Sequence, residues 1–266
     1  MRFKVKKQHL FCIILFIVLW SLCAFTIQND ILIPYPKDVC FSLLNILNKK
    51  STYISIAFTI LRVFKGYIYS ILISLLLACI SFKYDSIRSF IEPIVVLVKT
   101  IPNISYIILA IIWLGSEGSV SAVTFMILFP ICFNTFVSKL DELYRKQKDI
   151  IQIYQSDIFE TIKICILPEL YIDMIQTSIT AISMGLKVAV MAEILAAVRI
   201  GVGKQLNYAR INLNTSDLIA WTIIILILSY LLNYIFQLLL QRRLKEEQYG
   251  KSKCGDATND TNNCRA

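Results

Sequence analysis

Six long apolar runs divide this sequence, and they limit its fold more than any other feature. They lie near Leu10–Ile27, Ser55–Phe82, Phe90–Leu114, Val120–Val137, Ile172–Val198 and Leu218–Leu240. A helix rises about 1.5 Å per residue, so roughly 20 apolar residues cross the roughly 30 Å of a bilayer's hydrocarbon. In lipid every backbone polar group must be satisfied internally, which leaves helices and closed barrels. Barrel strands alternate apolar and polar residues over about ten positions, whereas these runs are continuous. The expected fold class is an all-α membrane protein with about six transmembrane helices. Composition agrees: 57% of residues are hydrophobic and 17% charged, against about half and a quarter in soluble domains.

Charge then sets the expected orientation. The chain carries a net charge of +9, with its basic residues gathered between the apolar runs and no aromatics interleaved among them. That pattern speaks against nucleic acid and for topology and lipid headgroups. With the N-terminus inside, the inner segments hold most Lys and Arg. They include Arg2, Lys4, Lys6 and Lys7, the group from Lys139 to Lys163, and the group from Arg242 to Arg265. Both termini are therefore expected in the cytoplasm of a multi-pass cell (inner or plasma) membrane protein. Residues 1–9 form a cytoplasmic N-terminus and 10–240 a transmembrane domain with an inner polar loop at about 138–169. Residues 241–266 form a cytoplasmic tail whose polarity predicts disorder. The basic start and Leu10–Ile27 resemble a signal peptide, but the run is long and no small-x-small site follows it, so it reads as a retained first span.

Chemistry is thin. No phosphate-cradling G-x-x-x-x-G-K-[ST], G-x-S-x-G or H-E-x-x-H occurs. His9 is the one histidine, so most histidine acid–base chemistry is ruled out. The eight cysteines form no C-x-x-C pair and read as small apolar fillers with free thiols. No enzyme activity, cofactor or metal site is expected of this chain.

Two segments outside the runs carry information. In Ile33-Pro34-Tyr35-Pro36-Lys37-Asp38-Val39 the prolines force an extended entry. Asp38 can then start a short amphipathic helix carrying Val39, Leu43, Leu44 and Leu47, of the kind that lies at a membrane interface. The inner loop mixes charges with Ile150, Ile151, Ile153, Ile158, Phe159 and Ile162. An apolar face on a polar loop needs something to pack against.

These segments carry a family resemblance. Asp149–Pro168 resembles the coupling motif of ABC importer permeases, which begins E-A-A, has a glycine six residues after the glutamate, and ends in hydrophobic-Leu-Pro. Asp149-Ile150-Ile151 stand in the E-A-A place, Gln155 in the glycine place, and Leu167-Pro168 keep the end. Further pieces resemble the nitrate/sulfonate/taurine-type permeases, the binding-protein-dependent inner-membrane components. They are the Ile33–Val39 entry, Thr59-Ile60-Leu61-Arg62-Val63-Phe64-Lys65-Gly66, Thr100-Ile101-Pro102, Ile112-Trp113-Leu114-Gly115, Phe129-Pro130 with Asn134-Thr135, Ala192-Glu193-Ile194-Leu195, Gly201-Val202-Gly203 and Asp217–Trp221. They run in order from about Pro34 to Leu240.

The resemblance implies a type I ABC importer fold and a set of partners. Those are a cytoplasmic ABC ATPase dimer, an extracytoplasmic solute-binding protein and a second permease subunit, expected to be a second copy. It implies that Asp149, Ile150, Ile151, Tyr154, Gln155, Leu167 and Pro168 couple to the ATPase. The solute would be a small anionic or heteroaromatic nutrient, of the nitrate, sulfonate, taurine or thiamine-precursor kind. Gln155 removes a permissive bend at the glycine place.

Charges inside apolar runs are costly and often functional, so Glu193, Lys187 and Pro102 are pathway candidates. Glu193 and Lys187 are about 600° apart on a helix and so sit on different faces. The bland reading of Glu193 is a structural hydrogen bond to a neighbouring span. Pro102 is expected to kink the third span and free the Val98 carbonyl. Arg62 and Lys65 read as snorkelling to the interface. Two other functions fit a polytopic chain: a secondary transporter driven by an ion gradient, which needs internal repeats, and a membrane scaffold.

Overall fold

A computed structural model describes the backbone of residues 7–154 and 167–263, and side chains at 11, 14–145 and 173–242. The described residues are helical, with no strand among them. The helices are α1 (Lys7–Ile27), α2 (Pro36–Leu47), α3 (Lys50–Lys83), α4 (Asp85–Thr100), α5 (Asn103–Tyr154), α6 (Leu167–Leu195), α7 (Val202–Ile211) and α8 (Thr215–Asn263). Four stretches among the described residues are long and apolar enough to cross a membrane: Lys50–Lys83, Asn103–Arg145, Asp173–Leu195 and Thr215–Arg242. Ile14–Ile27 is a shorter apolar helix.

The run Phe90–Leu114, expected as one span, is not one helix. Its chain stops at Thr100 and restarts at Asn103. Proline disfavours helical geometry in the residue before it, and Ile101 is extended at φ −69°, ψ 132°. Pro102 therefore ends a helix where a kink was expected. The Val98 carbonyl accepts a hydrogen bond from the Tyr106 hydroxyl. A second break follows at Gly115, whose φ of 69° and ψ of −179° fit glycine alone. Asn103–Leu114 between the breaks is about 18 Å long, too short to cross by itself.

Three helices build the centre. α3 turns a stripe of small residues toward α5: Gly66, Ser70, Ser74 and Ala78, at four-residue steps, are all buried. Small residues let membrane helices approach closely, and hydroxyls bond across the gap. Ser70 Oγ lies 3.1 Å from the Phe125 carbonyl and Ser74 Oγ 3.0 Å from that of Phe129. A Cβ on Gly66 would meet the Ser121 carbonyl and Thr124 Cβ at 2.7 Å each, so only glycine fits this crossing. Phe133, Phe136 and Leu140 of α5 and Ile182 of α6 fill the larger core with Tyr67 of α3 and Leu232 of α8. Val63, Ile107, Val120 and Leu186 fill a second.

The periphery packs more loosely. α2 starts with Pro36 in its first turn and buries Val39, Ser42 and Ile46. Val39 and Ile46 pack on Trp221 and Ile224 of α8, and Ser42 Oγ donates to Asp217. The anticipated amphipathic helix is thus present, but Leu44 of its expected apolar face is exposed. Leu226, Ile227, Leu231 and Ile235 of α8 are also exposed, as lipid-facing residues are. The backbone of α8 is helical to Asn263, through the segment whose polarity predicts disorder; its side chains past Arg242 lie outside the described residues.

Candidate functional site

The strongest polar feature is a buried node joining α3, α5, α6 and the turn before α7. Glu193, in the last turn of α6, is fully buried. Its Oε1 accepts from Arg62 Nη1 at 2.5 Å, and its Oε2 from the Gly203 N–H at 2.9 Å. Thr59 Oγ1 lies 2.9 and 3.0 Å from the two carboxylate oxygens and accepts from the Val202 N–H at 2.9 Å. Arg62, 6% exposed, also donates to the Ile200 carbonyl at 2.7 Å and, through Nη2, to Glu117. Glu117 accepts the Arg199 N–H at 3.0 Å. A charge removed from water needs a partner and hydrogen bonds for its other atoms, and each group here has them.

The turn follows from two glycines. A Cβ on Gly203 would lie 2.4 Å from Glu193 Cβ and 2.7 Å from the Val190 carbonyl; on Gly201 it would lie 2.7 Å from the Glu193 carboxyl. The Gly203 amide reaches the carboxylate only because both positions lack a side chain. The node holds three helices and a turn in register. Glu193 and Arg62 are mutually satisfied and buried, while Glu117 is half exposed at the node's edge, an arrangement suited to structure.

Arg62 therefore does not snorkel: its guanidinium turns inward to Glu193, 131 positions away in the sequence. Glu193 takes the structural hydrogen bonds of the bland reading, and in this conformation its carboxylate meets only protein. Pro102 is exposed between α4 and α5. Sequence reasoning missed Thr59 and Glu117 as partners. Opposite charge in separate apolar runs could have signalled the Arg62–Glu193 pair, since intramembrane charges tend to pair; it marks neither the uncharged Thr59 nor Glu117, which lies between two runs.

The coupling candidates lie at the other end of α5 and α6. Asp149, Ile150, Ile151 and Tyr154 fall on the last turns of α5, and Leu167 and Pro168 open α6. Their side chains, and Gln155 altogether, lie outside the described residues. Proline is tolerated in a helix's first turn, where its missing N–H has no intrahelical partner.

An open cavity of about 300 Å³ lies between α5 and α6, lined by Ile131, Thr135, Asp173, Gln176, Thr177 and Thr180. Asp173 meets Lys139 at 3.3 Å. Arg88 of α4 pairs with Asp141 of α5 at 2.9 Å and with Glu92 at 2.7 Å. No group of His, Cys, Asp and Glu among the described residues is placed to hold a metal ion.

Comparison with protein-family models gives no match, and comparison with curated proteins gives none either.

Proposed function

We propose that the chain is the membrane permease subunit of an ATP-driven importer, moved by a separate cytoplasmic ATPase through the segment between α5 and α6. One observation carries this reading: the scattered pieces of the resemblance meet in space. Thr59 and Arg62 of one piece, Glu193 of another and Gly201 and Gly203 of a third make one node. Gly66, the last residue of the piece that holds Thr59 and Arg62, seats α3 on α5. Pieces that depend on one another physically are stronger support than the same pieces taken singly.

The lever is consistent with the fold. α5 continues as helix from the bundle core to Tyr154, and α6 returns to the core from Leu167. Force applied between them reaches the centre through rigid elements and not through loose loop. In this reading the chain crosses the membrane six times with both termini in the cytoplasm, the third crossing being the broken pair α4 and Asn103–Leu114. A second copy of the chain completes the permease, a solute-binding protein delivers a small nutrient, and ATP is hydrolysed by the partner.

Co-purification tests this reading. The chain, solubilised from its own membrane in mild detergent, is expected to bring down a protein with a Walker A loop and to hydrolyse ATP in that complex. A chain that purifies without any ATPase would be a gradient-driven carrier or a scaffold.

A further inference from the structure

We propose that α2 and α7 lie in the headgroup layer of the bilayer, each held there by one exposed stripe, so that the phospholipid surface is a binding partner of this end of the bundle. The proposal rests on the membrane assignment alone and is independent of the permease reading. Both helices are too short to cross: α2 has 12 residues and α7 has 10. Their buried faces enter one small core, where Val39 and Ile46 of α2 and Val202 of α7 meet Trp221 and Ile224 of α8.

Away from each buried face runs the same pattern. On α2 it is Lys37, Phe41 and Leu44; on α7 it is Lys204, Tyr208 and Ile211. Each is a lysine, an aromatic four residues on and an aliphatic three further. At 100° per residue the three positions fall within about 60° of one another. They lie roughly opposite Val39 and Ile46 on one helix, and Val202 and Ala209 on the other. All six side chains are exposed, Phe41 and Tyr208 to 67% and Ile211 to 68%. The α2 stripe is not the apolar face expected from the sequence, with which it shares only Leu44.

Leu213, just past α7, is an independent observation. Its φ of 54° is left-handed, at a place after a helix end where glycine or asparagine is usual and where a leucine is unfavourable. The backbone there closes the turn: the Leu213 N–H donates to the Arg210 carbonyl at 3.1 Å and the Asn214 N–H to that of Ala209 at 2.9 Å. Glycine would make the same turn more easily. The leucine side chain is 64% exposed, so contacts within the described fold do little to offset its cost. It needs an apolar surrounding from outside the chain.

The residue types select lipid as that surrounding. On such a stripe the ammonium reaches the phosphates while its methylenes and the apolar side chains stay with the acyl boundary, and tyrosine is favoured at headgroup level. Protein interfaces, by contrast, are depleted in lysine. The chain is also continuous here with lipid-facing helices. Leu213 leads into α8, which exposes Leu226 and Ile227, and the exposed Ile31 and Leu32 follow α1, which exposes Leu22 and Phe25. Thr215 Oγ1 donates to the Ile31 carbonyl and ties these two turns together. Lys204 Nζ donates to the Arg199 carbonyl at 2.7 Å, which leaves two N–H groups of the ammonium for phosphate. α7 starts in the buried node, where the Val202 and Gly203 N–H groups donate to Thr59 and Glu193. A helix seated in the headgroup layer therefore also sets the depth of the node.

Nitroxide labels test this in the full chain, reconstituted alone into vesicles of phosphatidylethanolamine and phosphatidylglycerol. They are attached to Phe41→Cys, Tyr208→Cys and Leu213→Cys in an otherwise cysteine-free chain, with Leu226→Cys as the lipid-facing control. Collisions with oxygen, which concentrates among acyl chains, are compared with collisions with a water-soluble nickel chelate. All three labels are expected to favour oxygen, as Leu226→Cys does, and to sit about 5–10 Å into the headgroup and acyl boundary. A nickel preference equal to that of a nitroxide in water, at any of the three, would overturn the proposal, because the stripe would then face water. Exclusion of both reagents would overturn it in favour of a second copy of the chain covering the stripe. A diazirine amino acid in place of Tyr208, in the parent chain with its cysteines intact, reads the same contact. Phospholipid adducts are expected on irradiation; adducts with protein alone, or none, would contradict the proposal.

Discussion

Glu193→Ala is expected to destabilise the folded chain by about 3–5 kcal/mol, the usual cost of breaking a buried ion pair from one side. The mutation removes a carboxylate that is fully buried and that accepts from Arg62, Thr59 and Gly203. It leaves the Arg62 guanidinium inside the bundle, with Glu117 and the Ile200 carbonyl as its remaining acceptors. It also orphans the Gly203 N–H. Glu193→Gln fills the same space and keeps an acceptor, so a smaller loss is expected. The double replacement Arg62→Met with Glu193→Leu removes both charges and is expected to recover much of the deficit, since an apolar pair of like volume is often neutral. Reversible unfolding in detergent micelles reads all three. A loss under about 1 kcal/mol for Glu193→Ala, the range of exposed pairs, would mean that water reaches the node.

The second large effect is at the other end of the molecule. Ile150→Asp with Ile151→Asp is expected to weaken capture of the ATPase on the order of a hundredfold, while membrane insertion and unfolding stability stay near those of the parent chain. The two isoleucines lie on the last turns of α5. In the proposed function they enter an apolar groove of the partner. A carboxylate forced into such a contact loses its water without gaining a partner, and about 1.4 kcal/mol already makes a tenfold change in affinity. Phe133, Phe136 and Leu140, the described core of α5, are left untouched, and insertion and unfolding stability are the controls for the fold. Retained capture by the double variant would move the docking surface elsewhere.

Apolar run length made much of the bundle legible. Ser55–Phe82 lies within α3, Leu218–Leu240 within α8, and Ile172–Val198 overlaps α6. Run length cannot register a local break, because hydropathy ignores backbone geometry. Phe90–Leu114 therefore read as one span although Pro102 interrupts it, and the break at Gly115 just beyond it went unseen. The node was only half visible. Thr59, Arg62, Glu193, Gly201 and Gly203 all stood out as pieces of a resemblance, but the pairing of Thr59 and Arg62 with the later residues spans 131 positions or more and no periodicity reports such distances. Lys187 stood out as a charge inside a run; that its side chain is exposed on α6 while that of Glu193 is buried needed the fold.

The account stands on transmission of force from a nucleotide-hydrolysing partner to the helices on either side of Pro168. A photoreactive amino acid placed at Ile150 in the full chain, irradiated in its native membrane, tests this contact directly. It is expected to yield one adduct whose partner carries a Walker A loop, with no such adduct from a control probe at the lipid-facing Leu226. Adducts from Ile150 that contain only lipid, or only proteins unable to bind ATP, would contradict it.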